Sequence, residues 1–257
     1  MKRRISVLIA VVALVGTVAT VAAADTLIGT EAADVLPGTP HPDQVYGEGG
    51  DDRLTGDGSN DYLEAGPGND LVDGGHGVDL VIGGTGRDAI DGGADGDVVY
   101  AGAGEDLVLG GPGHDILFGQ AGSDRLFGGP GPDRVYASLG ADYVGAGSGN
   151  DRVASDAGDV TISAGLGDDA ITASGGVADV HGGVGHDRIG TGDFPDRVAG
   201  GSGRDSIATG AGDDVVRVSD GHRDRIDCGA GVADSVDADP LDVLTGCESA
   251  VAGHRRR

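Results

Sequence analysis

From Gly29 to Arg217 the chain repeats a nine-residue frame, 21 frames in succession without an insertion or deletion. With Asp115 set at position 6, that position is Asp in 19 of the 21 frames, Val160 and Ala178 being the exceptions. Position 8 is Leu, Ile or Val in every frame from Leu36 to Val216. From Gly47 onward position 4 is Gly in 16 of 19 frames, departing at Ser59, Asp95 and Phe194. A short period held in phase this long means one structural unit stacked on its neighbours, because no single unit can bury anything alone.

Each fixed position has a physical reading. Glycines at positions 1, 2 and 4 let the backbone take positive φ and turn tightly. Positions 7 to 9 make a short strand whose middle side chain points inward and whose neighbours point outward. Two frames then form one coil, and stacked coils give two parallel sheets around a thin aliphatic ladder. At about 4.8 Å per rung, some ten coils make a rod on the order of 50 Å long. Composition agrees: 53 Gly, three Phe, one Met and no Trp leave little for a conventional globular core. The fold class read from the frame is all-β, a parallel β-solenoid with two repeats per coil.

The formal charge is −26, and −29 beyond residue 24. Such an excess repels nucleic acid and anionic lipid and opposes compaction unless cations neutralise it. One Asp per frame places aspartates in two columns, one along each edge, with neighbours a rung apart. Carboxylates this close repel unless a hard cation sits between them, and Ca²⁺ takes six to eight carboxylate and carbonyl oxygens at about 2.3 to 2.6 Å.

The frames GGHGVDLVI (74–82), GGTGRDAID (83–91) and GGPGHDILF (110–118) resemble the G-G-x-G-x-D-x-U-x nonapeptide of the hemolysin-type, or RTX, calcium-binding repeat family, over roughly three quarters of the chain. The resemblance implies a parallel β-roll holding several Ca²⁺ ions between the Gly-rich turns of successive coils. It also implies that the position-6 residues are the side-chain ligands: Asp34, Asp43, Asp52, Asp61, Asp70, Asp79, Asp88, Asp97, Asp106, Asp115, Asp124, Asp133, Asp142, Asp151, Asp169, Asp187, Asp196, Asp205 and Asp214. Many members are large toxins, proteases or epimerases exported by a C-terminal signal. This chain instead starts with MKRR, an apolar run and Ala22-Ala23-Ala24, the pattern of a secretory signal peptide cut after Ala24.

The expected organisation is a signal peptide at 1–24, a calcium-binding β-roll at 25–217, and irregular repeats with a C-terminal cap and basic tail at 218–257. The tail resembles the terminal cap of some secreted actinobacterial proteins of this repeat class. Cys228 and Cys247 stand just over two frames apart, close to one coil, and are the only cysteines, so a disulfide between adjacent rungs is expected in a secreted protein. Val160 and Ala178 are neighbours in one column, which predicts a gap in the ions on that edge and a continuous file on the other. Asp159 and Asp179 stand one place from the missing ligands.

No catalytic residues are expected. The glycine stretches lack a following lysine, the seven histidines occupy variable positions, and pairs such as Asp51-Asp52 are positions 5 and 6 of the frame. The function expected is an extracellular Ca²⁺-binding repeat protein that folds on binding calcium after secretion, with a structural or surface-interaction role. Its expected partners are calcium ions and an unnamed cell-surface or matrix component, with neither nucleic acid nor membrane insertion. The alternative is a secreted enzyme or toxin module carried on the roll.

Overall fold

The computed structural model describes residues 3–6, 24–231 and 233–252. The chain coils into a parallel β-solenoid of about twelve turns. Successive strands alternate between a 14-stranded and a 13-stranded sheet, so through the regular frames each strand pairs with the one two frames away. Val99, Leu117 and Val135 are successive partners on the first sheet, and Ile90, Val108 and Leu126 on the second. The one antiparallel neighbour among the described residues is Arg3–Ser6, which lies against Asp25–Thr30. The apolar run of the expected signal peptide falls outside the described residues. Among those described, no helix is long and apolar enough to cross a membrane.

Position 8 forms the core in every frame from Leu36 to Val216, each residue at most 3% exposed. The ladder extends past the regular frame through Leu27, Ile226 and Val236. A second inward column comes from position 1 wherever it is larger than Gly, as at Ala65, Ala101, Ala137, Ala146, Ala164 and Ala173.

The role of the turn glycines differs from the expectation at one position. Most residues at positions 2 and 4 take positive φ, as at Gly84 and Gly86 with 118° and 125°. Ser59 and Asp95 keep that conformation at position 4, and Glu48, Asp57, Gln120 and Ser138 keep it at position 2. Position 1 is not left-handed. Its glycines are needed for space: a Cβ on Gly110 would stand 2.6 Å from the carbonyl oxygen of Gly128 and 2.7 Å from Asp115 Oδ2. Many strands also outrun the expected three residues, as in Ile116–Ala121 and Arg125–Pro130. The turn backbone itself pairs between coils, with Gly104 N–H donating to the Ala121 carbonyl at 2.8 Å.

Beyond Arg217 the coil continues through Arg225–Asp227, Ser235–Ala238, Val243–Thr245 and Ser249–Ala252, each in parallel register on its sheet. Cys228 and Cys247 form a disulfide with Cα atoms 5.2 Å apart, joining adjacent rungs. Closing a loop of this size stabilises by about 3 kcal/mol in the chain-entropy account. Because each coil touches only its neighbours, the benefit is local. Reduction is expected to accelerate amide hydrogen exchange across 225–252 and leave 99–171 unchanged; uniform acceleration along the rod would contradict local coupling.

Candidate metal centre

Position 6 follows the turn and precedes the strand, and its side chain folds back under the coil. There, along the uninterrupted stretches, the aspartate Oδ1 accepts the backbone N–H of the aspartate one coil earlier, and Asp196 Oδ1 accepts that of Ala178. Along one edge Asp97 N–H donates to Asp115 Oδ1 and Asp115 N–H to Asp133 Oδ1, both at 2.8 Å. The same link runs unbroken along that edge from Asp43 through Asp61 and Asp79 to Asp205. On the other edge it joins Asp34 through Asp52, Asp70, Asp88, Asp106 and Asp124 to Asp142. The two frames per coil thus produce the two expected columns.

The second carboxylate oxygen separates the aspartates into two groups. In Asp34 and Asp43, Oδ2 accepts both the N–H and the hydroxyl of a threonine at position 2, Thr30 and Thr39 respectively. From Asp52 onward every predicted ligand buries an Oδ2 with no hydrogen-bond partner. In the coils with Gly at position 1 this oxygen faces a carbonyl oxygen of the next coil across the space where a Cβ would stand, as at Gly92 with Gly110 O at 2.7 Å and Asp97 Oδ2 at 2.8 Å. Two acceptors aimed at one small space with no donor between them suit a cation, and a carboxylate with carbonyls is the oxygen set that Ca²⁺ takes. Among the described residues no three His, Cys, Asp or Glu side chains gather as a metal cage. An ion here would therefore be shared by neighbouring carboxylates and backbone carbonyls.

Burial dominates the titration of these groups. It raises Asp97 to about 8, Asp61, Asp88, Asp124, Asp133 and Asp169 to about 7, and Asp79, Asp115 and Asp187 to about 6. The N–H received from the preceding coil opposes the shift. For Asp97, Asp124, Asp133 and Asp169 the charges of both column neighbours add to it. Without a cation, the columns therefore take up protons more readily than free aspartates, and they shed them as pH rises through about 6 to 8.

The frame ended too early at the C-terminus. Asp205 N–H donates to Asp224 Oδ1 and Asp224 N–H to Asp242 Oδ1. On the other edge Asp214 N–H donates to Asp234 Oδ1, and Asp234 N–H to Glu248 Oε2. Asp224 also buries an unpartnered Oδ2 and is raised to about 6, chiefly by burial. The signal was present as steps of 19 and 20 in the sequence, which a strict nine-residue frame passes over.

At the interruption the backbone takes over from the side chains. Ala141–Ser148, Asp159–Leu166 and Ala178–Val184 are strands of seven or eight residues that run through the turn. Asp142 pairs in register with Val160, and Val160 with Ala178. Val160 N–H donates to the Val177 carbonyl. Asp159 and Asp179 do not enter the column: Asp159 is exposed with Oδ1 on Val177 N–H, and Asp179 lies 3.7 Å from the outward His181. We expect Ca²⁺ to be absent from this edge between Asp142 and Asp196 while filling the opposite edge. Anomalous scattering from a calcium-soaked crystal checks this, and full ions on both edges through residues 155 to 199 would refute it.

A family profile described as RTX calcium-binding nonapeptide repeat (4 copies) matches residues 21–54, 37–72, 55–90, 73–108, 82–117, 109–144, 118–153, 145–177 and 190–223. No curated protein matches the chain. With the profile tiling most of the sequence, and the columns of buried, cation-deficient aspartates in the turns of a parallel coil, the chain belongs to the RTX calcium-binding nonapeptide repeat family and is a Ca²⁺-binding repeat protein.

Proposed function

We propose that this is a secreted protein whose acidic solenoid assembles when Ca²⁺ enters its aspartate columns outside the cell, and which serves there as a structural or surface-interaction module rather than an enzyme. One observation carries the reading: the file of buried aspartate Oδ2 atoms from Asp52 to Asp224 without a donor. An ion in each uninterrupted interval would supply the positive charge the file lacks, while the chain supplies paired carboxylates and turn carbonyls. Export by the N-terminal leader keeps the chain unfolded in calcium-poor cytosol and folds it where calcium is abundant. The disulfide is compatible with an oxidising compartment. The division into leader at 1–24, a regular roll at 25–217 and a terminal region from 218, in which the coil goes on through irregular repeats, follows the same reading.

Asp115→Asn tests it. The amide keeps an oxygen for the Asp97 N–H but removes the charge shared with Asp97 and Asp133, so about two ions should be lost and the calcium midpoint raised several-fold. Asp73→Asn, outward on a strand, should change neither. Equilibrium dialysis with ⁴⁵Ca²⁺ gives the stoichiometry, and an Asp115→Asn protein that binds as many ions as the parent would defeat the proposal.

A further inference from the structure

The outward face of the 14-stranded sheet changes character along the rod. In the middle of the position-9 column, Tyr100, Phe118 and Tyr136 stack in succession, with centroids 4.6 and 4.8 Å apart and planes within 9°. The stack ends at Tyr136, whose partner on the next rung is Ala154. The ring is 36% exposed, and its face toward the C-terminal end meets no further ring. The rungs beyond carry Thr172, Gly190 and Ala208 in the same column. The result is a shallow shelf of small residues closed at one end by an aromatic face.

Beside the shelf, position 7 presents Arg152, Arg188 and Arg225, all exposed, with Ala170 and Ser206 on the rungs between, while Arg134 stands one rung before Arg152, on the strand of Tyr136 that closes the shelf. The first three arginines are therefore two strand spacings apart, about 9.6 Å. None forms an ion pair among the described residues, although Asp151, Asp187 and Asp224 directly precede them. Those carboxylates are turned into the columns and buried. No outward position of this sheet from Arg134 to Ala208 is acidic, in a chain with 43 acidic residues, and the shelf ends where the exposed Asp227 follows Ala208 on the rung of Arg225.

We propose that this face binds an extended acidic polysaccharide with a carboxylate on every second sugar. An extended pyranose chain advances by about one strand spacing per sugar, so alternate carboxylates meet alternate-rung arginines, each a planar fork suited to a carboxylate. The small residues leave room for the sugar rings against the sheet, and the free face of Tyr136 receives the apolar face of the terminal sugar. Charge complementarity and spacing along one straight line select a linear polymer over a membrane, which would call for a broad apolar and basic area. The proposal rests on the calcium reading only in requiring the folded coil, whose loaded columns also offset the negative charge that would repel the glycan.

The test is isothermal titration of the calcium-loaded, disulfide-bonded protein with hyaluronan octasaccharide, after far-UV circular dichroism has verified the fold. Binding should weaken as salt rises and be absent for neutral dextran. Arg152→Ala with Arg188→Ala should weaken it at least about ten-fold, and Tyr136→Ala several-fold. Arg53→Ala with Arg197→Ala, on the other sheet, should leave it unchanged. No binding by the folded parent, equal binding after loss of Arg152 and Arg188, or equally tight binding of a DNA duplex would each overturn the assignment. A failure of the circular dichroism check instead counts against the calcium reading.

Discussion

In excess chelator at neutral pH the chain is expected to lose its parallel β signal, and either Ca²⁺ or acid is expected to restore it. The columns hold carboxylates about one strand spacing apart, where each ionised neighbour costs about 3 kcal/mol at an effective dielectric near 20. The aliphatic ladder, one side chain per strand, is too thin to offset many such terms. Calcium removes the repulsion by coordination, with a midpoint expected at roughly 10⁻⁴ to 10⁻³ M, the range of extracellular modules. Protons remove it by neutralisation. Burial raises the folded values from 3.8 to about 6 for Asp79 and about 8 for Asp97. A raised folded value means that the coil binds more protons than the unfolded chain, so its metal-free stability is fullest below about pH 4 and is lost as pH rises through 6 to 8. Calcium-loaded protein follows the opposite trend, since protons compete for the same oxygens and weaken binding below about pH 7. Far-UV circular dichroism over pH and calcium concentration measures both arms. A full β spectrum in chelator at pH 8 would remove the basis for calcium-dependent folding. Absence of structure at pH 4.5 in chelator would show that repulsion between the buried carboxylates is not what holds the chain open.

Leu117→Ala is expected to destabilise the calcium-loaded protein by about 2 to 5 kcal/mol, the usual cost of emptying a buried leucine site. Leu117 is fully buried between Val99 and Val135 on the neighbouring rungs. Leu107→Ala removes the same atoms from position 7, where the side chain is 39% exposed, and should cost within about 0.5 kcal/mol. Urea titration at saturating calcium compares the two, and hydrogen exchange should place the Leu117→Ala loss between Val81 and Val153. Equal midpoints for the two variants would mean that the ladder is not the core.

Much of this architecture was legible because the period has a structural consequence at every repeat. The alternation of Arg125 and Leu126, or of Leu117 and Phe118, states which side faces inward without reference to any other part of the chain. The two-frame coil follows from the same alternation, and with it the membership of each aspartate column. The tail was less legible: Asp224, Asp234 and Asp242 belong to the columns, but the extra residues that precede them shift the frame while the coil geometry is restored.

The sequence by itself determined the parallel coil, its aliphatic ladder and the acidic edges, because a side chain's inward or outward direction depends only on its place in a strand and the strand recurs with every frame. Tertiary structure alone decided what each carboxylate meets. Thr30 and Thr39 satisfy Asp34 and Asp43, whereas aspartates such as Asp61, Asp97 and Asp115 are left with an Oδ2 facing a carbonyl of the next coil, and the strands through Val160 and Ala178 lengthen across their turns. Those outcomes depend on donors and acceptors meeting across neighbouring coils and on how far a turn can extend, and a nine-residue pattern encodes neither.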